Sequence, residues 1–116
     1  MSERINNTIY FTITGTHYFH GKEFLEKGMG VQLVKEPDNK YDKEAILVKL
    51  EGLGDIGHVA NSTRTVIGES YSAGRLYDKI GDTAEGEVMY VMDDGVLCKV
   101  VEFDEEMVLD DDIISF

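Results

Sequence analysis

VQLVKEPDNKYDKEAILV, residues 31 to 48, decides how this chain reads. Two apolar runs flank a polar turn that holds the one proline of the protein, Pro37. The turn places an amide, a phenol and a carboxylate (Asn39, Tyr41 and Asp42) within four residues. Such a stretch is either a plain hairpin connection or the rim of a small binding site. Asn and Asp form turns through side-chain to backbone hydrogen bonds. On that reading Asn39 and Asp42 shape the loop and Tyr41 packs in the core. On the other reading the same three side chains face a ligand.

The bounds around this stretch are those of one domain. The chain has 116 residues, 42% of them apolar, enough to bury a core without disulfide or metal staples. It holds no run of about 18 apolar residues, so no membrane span is expected. The N-terminus, MSERINNTIY, carries Glu3 and Arg4 and lacks the apolar stretch of a signal peptide. Cys98 is the single cysteine and lies in the apolar run VLCKVV, which reads as a buried structural thiol and fits a reducing cytoplasm.

Charge is uneven along the chain. The formal net charge is −12, and residues 102 to 116 carry seven of the 23 acidic groups with no Lys or Arg. Residues 1 to 101 hold 16 acidic against 11 basic groups, a net of −5. A body of that sign excludes nonspecific DNA binding by broad charge neutralisation, which needs many phosphate contacts from Lys and Arg. It leaves room for a pocket that reads one or two nucleotides, or for a protein partner.

The outward pass finds short strands. In TIYFTIT, residues 8 to 14, Ile9, Phe11 and Ile13 alternate with Tyr10, Thr12 and Thr14, the pattern of a half-buried strand. KEFLEK, residues 22 to 27, predicts about one helical turn, closed by Gly28. Strands are expected over 31 to 35, 45 to 50 and 55 to 60. Asn61 to Tyr71 reads as a polar loop or broken helix. Ser72 is a candidate N-cap for a short helix AGRLYDKI, with Ala73, Leu76 and Ile80 on one face and Gly81 at its end. Residues 87 to 92 and 96 to 103 form a hairpin across Asp93-Asp94-Gly95, where Asp-Gly favours a type I′ turn with positive φ at both central positions. The sum is a mainly β chain: a small antiparallel barrel of about six strands with one or two short helices.

No enzyme signature is present: no phosphate-binding or dinucleotide-binding glycine loop, no HExxH, no paired cysteines. Ser62, Ser70 and Ser72 lack a nucleophile setting. His17, His20 and His58 are too scattered to define a metal site, and no cofactor is implied. The chain therefore reads as non-enzymatic. The better signal is the polar and aromatic groups at strand ends, His17-Tyr18-Phe19, Asn39 to Asp42 and Gly57-His58, which a small barrel can gather at one mouth. Tyrosine faces stack on bases at ~1–3 kcal/mol each. A carboxylate repels phosphate but accepts well from a sugar hydroxyl, so Asp42 in a nucleic-acid pocket suits a chain end with a free hydroxyl.

LVKEPDNKYDKEAILV, with GTHYFHG before it and GDIGHVAN after it, resembles the HIRAN domain family over about residues 8 to 101. That family carries a Gly-x-x-Tyr-Tyr/Phe segment, an Arg/Lys-Asp/Glu-Pro-x-Asn-x-Tyr-Asp-x-x-Ala-Ile hairpin and a Gly-His/Tyr pair, in this order. NSTRTV and SAGRLYDKI are similar to bacterial stand-alone members. The resemblance implies a modified OB-fold barrel and, as in eukaryotic fork-remodelling translocases of DNA repair and replication, capture of the 3′ end of single-stranded DNA. By position, Tyr18 and Tyr41 would stack on terminal bases, and Asn39 would read a base or fix the turn. Asp42 would accept from the 3′-hydroxyl, and His58 would contact the sugar-phosphate. The chain departs from the eukaryotic pattern at His17, where that pattern is basic, and near Asn61, where it has lysine. Lys40, Lys43, Arg64 and Arg75 are the cations available in compensation.

The division implied is an N-terminal extension over 1 to 7, the barrel domain over 8 to 101 and an acidic tail over 102 to 116. The end of the tail, Asp110, Asp111, Asp112, Ile113, Ile114, Ser115 and Phe116, resembles the acidic tip of bacterial single-stranded-DNA-binding proteins, with one added residue and no proline. That implies a protein partner reached through Asp110 to Ile113 and Phe116. A solvated acidic tail is the simpler reading, and an acidic mimic folded over the DNA site is a third. Two functions follow: a single-stranded-DNA 3′-end binder, or a protein-interaction adaptor of the same fold that acts partly through its tail.

Overall fold

A computed structural model describes residues 8 to 102. Six strands, β1 (Tyr10–Thr14), β2 (Gly30–Lys35), β3 (Ile46–Leu50), β4 (Gly54–Val59), β5 (Thr83–Met92) and β6 (Gly95–Glu102), close into a barrel in the order β1-β4-β3-β2-β5-β6. Every neighbouring pair is antiparallel. A 3-10 helix, Thr16–Tyr18, follows β1, and a short α-helix, α1 (Ala73–Tyr77), lies between β4 and β5. The expected barrel of about six strands is the fold observed. No helix among the described residues is long and apolar enough to cross a membrane.

The alternation read in β1 holds for the core face. Ile9, Phe11 and Ile13 are buried, and Tyr10 is exposed. Thr12 departs from it, because the loop after β4 covers the outer face of the strand. Its Oγ1 meets Ser70 Oγ at 2.9 Å and accepts from the Ile67 amide at 3.1 Å. The hydroxyl satisfies buried polar groups that an apolar residue would leave unpaired.

Two further expectations are corrected. KEFLEK forms turns rather than a helical turn. The segment is too short to offset helix nucleation, and the chain just after it bonds across to β5 instead. Gly28 N donates to Val88 O and Val88 N donates to Met29 O, both at 2.8 Å. The hairpin joining β5 and β6 has no type I′ turn, since no described residue other than glycine has positive φ. Gly95 lies in the ladder opposite Met92, leaving Asp93 and Asp94 as the loop. A Cβ on Gly95 would lie 3.0 Å from Thr12 Cγ2 and 3.1 Å from Ile13 O, so this glycine serves the approach of β1. Lys22 Nζ pins the tip by donating to Met92 O at 2.6 Å and Asp93 O at 2.7 Å.

Helix α1 begins as read: Ser72 Oγ accepts from Arg75 N at 3.3 Å, and Ala73 and Leu76 are fully buried. It stops at Tyr77, short of Gly81, yet Ile80 still packs in the core. Lys35 closes this end, donating to Ile80 O at 2.8 Å with its ammonium 4.4 Å from the Tyr77 ring centroid.

Cys98 is buried opposite Phe11. Burial pushes its thiol from an ordinary value of 9.0 up to about 12, because the apolar surroundings disfavour the thiolate. The folded chain keeps this proton where the unfolded chain has lost it, so the contribution is intact below the unfolded value. Stability falls as pH rises through the interval from 9.0 to about 12. We predict that a thiol reagent at mildly alkaline pH labels the native protein slowly and the guanidinium-unfolded protein at once. Fast labelling of the native protein would contradict the closed core.

Candidate functional site

The turn between β2 and β3 is built by its own side chains. Asn39 N donates to Glu36 O at 3.0 Å, closing a four-residue turn with Pro37 at its second position, where the fixed φ of proline fits. Asn39 Oδ1 then accepts from the amides of Tyr41 at 2.8 Å and Asp42 at 3.0 Å. Asp42 repeats the device: Oδ1 accepts from Glu44 N at 2.9 Å, and Asp42 O accepts from Ala45 N at 3.1 Å. Glu36 N donates to Ala45 O at 2.9 Å and seals the loop. Asn39 and Asp42 are turn formers, as the plainer reading has it.

That reading fails for Tyr41. The side chain is 94% exposed and packs in no core. The backbone beneath it is fixed while the ring stands free. Tyr18, on the 3-10 helix, is 78% exposed, with the His17 ring 4.0 Å away at a tilt of 38°.

Antiparallel closure brings these segments together. Thr14 pairs with His58 and Leu47 with the same His58, so the chain leaving β1 passes over β4 beside the start of β3. Gly57 permits that passage: a Cβ there would sit 2.7 Å from Ile13 Cγ2 and 2.8 Å from Thr14 O. His58 is the junction. Its Nε2 lies 2.9 Å from Glu36 Oε1, and its ring is 6.2 Å from that of Phe19. An ionised Glu36 only accepts, so Nε2 carries the hydrogen. The same Glu36 oxygen accepts from Asn39 Nδ2 at 3.2 Å. Asn61 ties the turn to the start of α1, donating from Nδ2 to Asp42 Oδ2 at 2.9 Å and accepting from Gly74 N at 2.9 Å.

Of the residues singled out in sequence, Asn39, Asp42, His58 and Asn61 thus join one hydrogen-bonded hub through Glu36 and Gly74, with Tyr41 projecting from it. Tyr18 and His17 reach it through Phe19. The tail residues Asp110, Asp111, Asp112, Ile113 and Phe116 lie outside the described residues. The sequence reading missed Glu36 as a site residue. Its signal was its place just before Pro37, where a turn closing on Asn39 returns that side chain to the carboxylate.

Each Asp42 oxygen holds one internal partner and keeps a lone pair for another donor. Lys40 and Lys43 flank Tyr41, and neither ammonium forms an ion pair among the described residues. Asn61 and Arg75 both line an open groove of about 450 Å³. No three His, Cys, Asp or Glu side chains gather for a metal ion among the described residues.

The HIRAN domain family model matches residues 6–102 of this chain, and the chain belongs to that family. A solved structure described as the crystal structure of the HIRAN domain of human HLTF superposes with a TM-score of 0.54. The two share 21% identity over 85% of this chain and 78% of that one, a likeness of fold. Comparison with curated proteins gives no significant match.

We predict that Asn39→Ala costs about 1–3 kcal/mol, the price of stripping the acceptor from turn amides. Asn39→Asp made together with Glu36→Gln, which keeps the acceptor without setting two carboxylates side by side, costs less than Asn39→Ala made together with Glu36→Gln. Urea unfolding midpoints measure these variants, and equal losses in the two doubles would refute the acceptor role.

Proposed function

We propose that this chain is a nucleic-acid-binding module that holds the 3′-hydroxyl end of single-stranded DNA against Tyr41, Tyr18 and Asp42, in a repair or replication setting. One observation carries the reading: the Tyr41 ring, 94% exposed, stands on backbone fixed by a hydrogen-bonded hub with a half-buried carboxylate within it, and a second exposed tyrosine, Tyr18, stands on the 3-10 helix that crosses β4. Packing gives no reason for the Tyr41 ring to be aromatic. Base stacking does, at ~1–3 kcal/mol per base. Ordering entropy is already spent on the backbone of the turn, so a ligand has less to immobilise.

Asp42 sets the kind of end. A terminal 3′-hydroxyl donates to a carboxylate oxygen, and a 3′-phosphate brings like charge to the same place. Lys40 and Lys43 supply attraction beside Tyr41 without neutralising Asp42. His58, held by Glu36, offers its ring to the sugar-phosphate, and His17 braces Tyr18. In this reading Asn39 and Asn61 act by holding the turn and Asp42 in position. The module binds and does not catalyse.

The runner-up, a protein-interaction adaptor, draws on the charge of the turn. Glu36, Asp38, Asp42 and Glu44 outnumber Lys40 and Lys43 over nine residues. A basic protein surface would fit that face. Retention of a protein partner together with no DNA binding would decide for it.

Fluorescence anisotropy with oligonucleotides that differ only in a 3′-hydroxyl or a 3′-phosphate tests the proposal. The hydroxyl form is expected to bind more tightly, and Tyr41→Ala to weaken it by ~1–3 kcal/mol. Equal affinity for both ends, or none for either at low salt, would sink it.

A further inference from the structure

Four cations of the barrel are engaged by its own groups. Lys22 holds the β5–β6 tip, Lys35 the end of α1, Lys49 pairs with Asp55 at 4.0 Å, and Lys27 lies over Tyr90. Arg75 is different. Its guanidinium lies 4.0 Å over the Tyr71 ring, and Tyr71 is itself anchored by its amide donating to Tyr10 O at 2.6 Å. Arg75 is exposed and forms no ion pair among the described residues. Stacking on an aromatic face orients the planar fork while leaving its donors free.

This cation lines an open groove of about 450 Å³ together with Asn61, which accepts from the amide of Gly74, the residue before Arg75, at 2.9 Å. Ser62, Thr63 and Ser72 line it with hydroxyls, and Glu69 is the acidic side chain on its wall. Arg64, next to Thr63, is exposed with its side chain unpaired among the described residues. Asn61 also donates to Asp42, so the groove opens directly beside the carboxylate of the turn. The turn carries more acid than base, and two of its carboxylates border the groove, Asp42 on Asn61 and Glu44 beside Gly74, whereas the charged residues of the lining itself are Arg75 and Glu69.

We infer that this groove is the track for the sugar-phosphate backbone of the strand behind its captured end, with Arg75 as the phosphate contact. The inference rests on the end-capture reading and adds a second, separable subsite to it. The end is read by a carboxylate that repels phosphates, and the strand is held by an arginine that attracts them. Arg64 extends the same field toward the rim. Glu69 limits it, so the net attraction is at most that of one cation. Hydroxyl walls donate to phosphate oxygens without selecting a base, which makes the track indifferent to sequence.

The test is anisotropy across a salt series with 3′-hydroxyl thymidine oligomers of two, four and eight nucleotides. On the wild-type protein, affinity should rise from dimer to octamer. Arg75→Gln should weaken the octamer about three- to fivefold, as expected for one exposed charge pair. It should leave the dimer unchanged and flatten the log–log salt slope by about 0.7, the value for one single-strand phosphate contact. Arg75→Lys should keep the slope. Glu69→Gln should tighten the octamer, an increase that mere loss of folding cannot produce. If Arg75→Gln leaves octamer affinity and slope unchanged while the wild type binds, the track is overturned and end capture stands. If it weakens dimer and octamer alike, Arg75 belongs to the terminal site and the track is again overturned. If the wild type binds no oligomer, both readings fall. Thermal melting of each variant separates lost contact from lost fold.

Discussion

The structure depends on the closure of the barrel through β1. This strand has five residues, yet it pairs with β6 at four positions and with β4 at two. Closure removes the free edges that an open sheet would offer to other chains. It also fixes where the chain goes next. With Thr14 set opposite His58, the 3-10 helix has to run across β4, and the missing side chain of Gly57 lets it lie close. Three segments separated by tens of residues meet because the ring closes.

The hub at that meeting point serves two purposes without conflict. Turn formation uses backbone amides and the inner lone pairs of Asn39 and Asp42. Recognition, in the proposed function, uses the outer lone pairs of Asp42 and the faces of two exposed tyrosines. A hairpin connection and a site rim looked like alternatives because both employ amides and carboxylates. The distances distinguish them by atom rather than by residue, and Tyr41 is the residue that only the second explains.

Local signals made much of this fold readable. Alternation found the core face of β1, the apolar runs found β2 and β3, and Ser72 marked the start of α1 through its hydrogen bond to the Arg75 amide. The failures share a cause. Thr12 is buried because a loop 58 residues away brings Ser70 to it. KEFLEK forms turns because the chain beside it finds partners on β5. Gly95 serves the approach of β1 rather than the turn. Each was decided by tertiary contact that no short window contains. The site divides the same way. Turn bonds across two or three residues follow from composition, whereas Glu36 to His58 spans 22 residues and Asp42 to Asn61 spans 19. The resemblance to the HIRAN family named Asp42, His58 and Asn61 together where periodicity could not, and left out the Glu36 that joins His58 to the turn.

Net charge is the feature that argues most against nucleic acid, and its force depends on distance. At physiological salt, charges separated by more than about 8 Å of solvent are largely screened from one another. A body charge of −5 spread over a barrel is therefore a weak objection at any single spot. What matters is the balance within one screening length of each contact. At the turn that balance is acidic, which disfavours a phosphate and tolerates a hydroxyl. Along the groove the acid is relieved by an arginine that an aromatic ring orients and that forms no ion pair among the described residues. In the proposed function, an acidic protein arranged this way holds a strand weakly, with its discrimination concentrated at the chain end. That differs in kind from the binding of a broad basic surface, where affinity grows with every phosphate covered and the end of the strand is of no account.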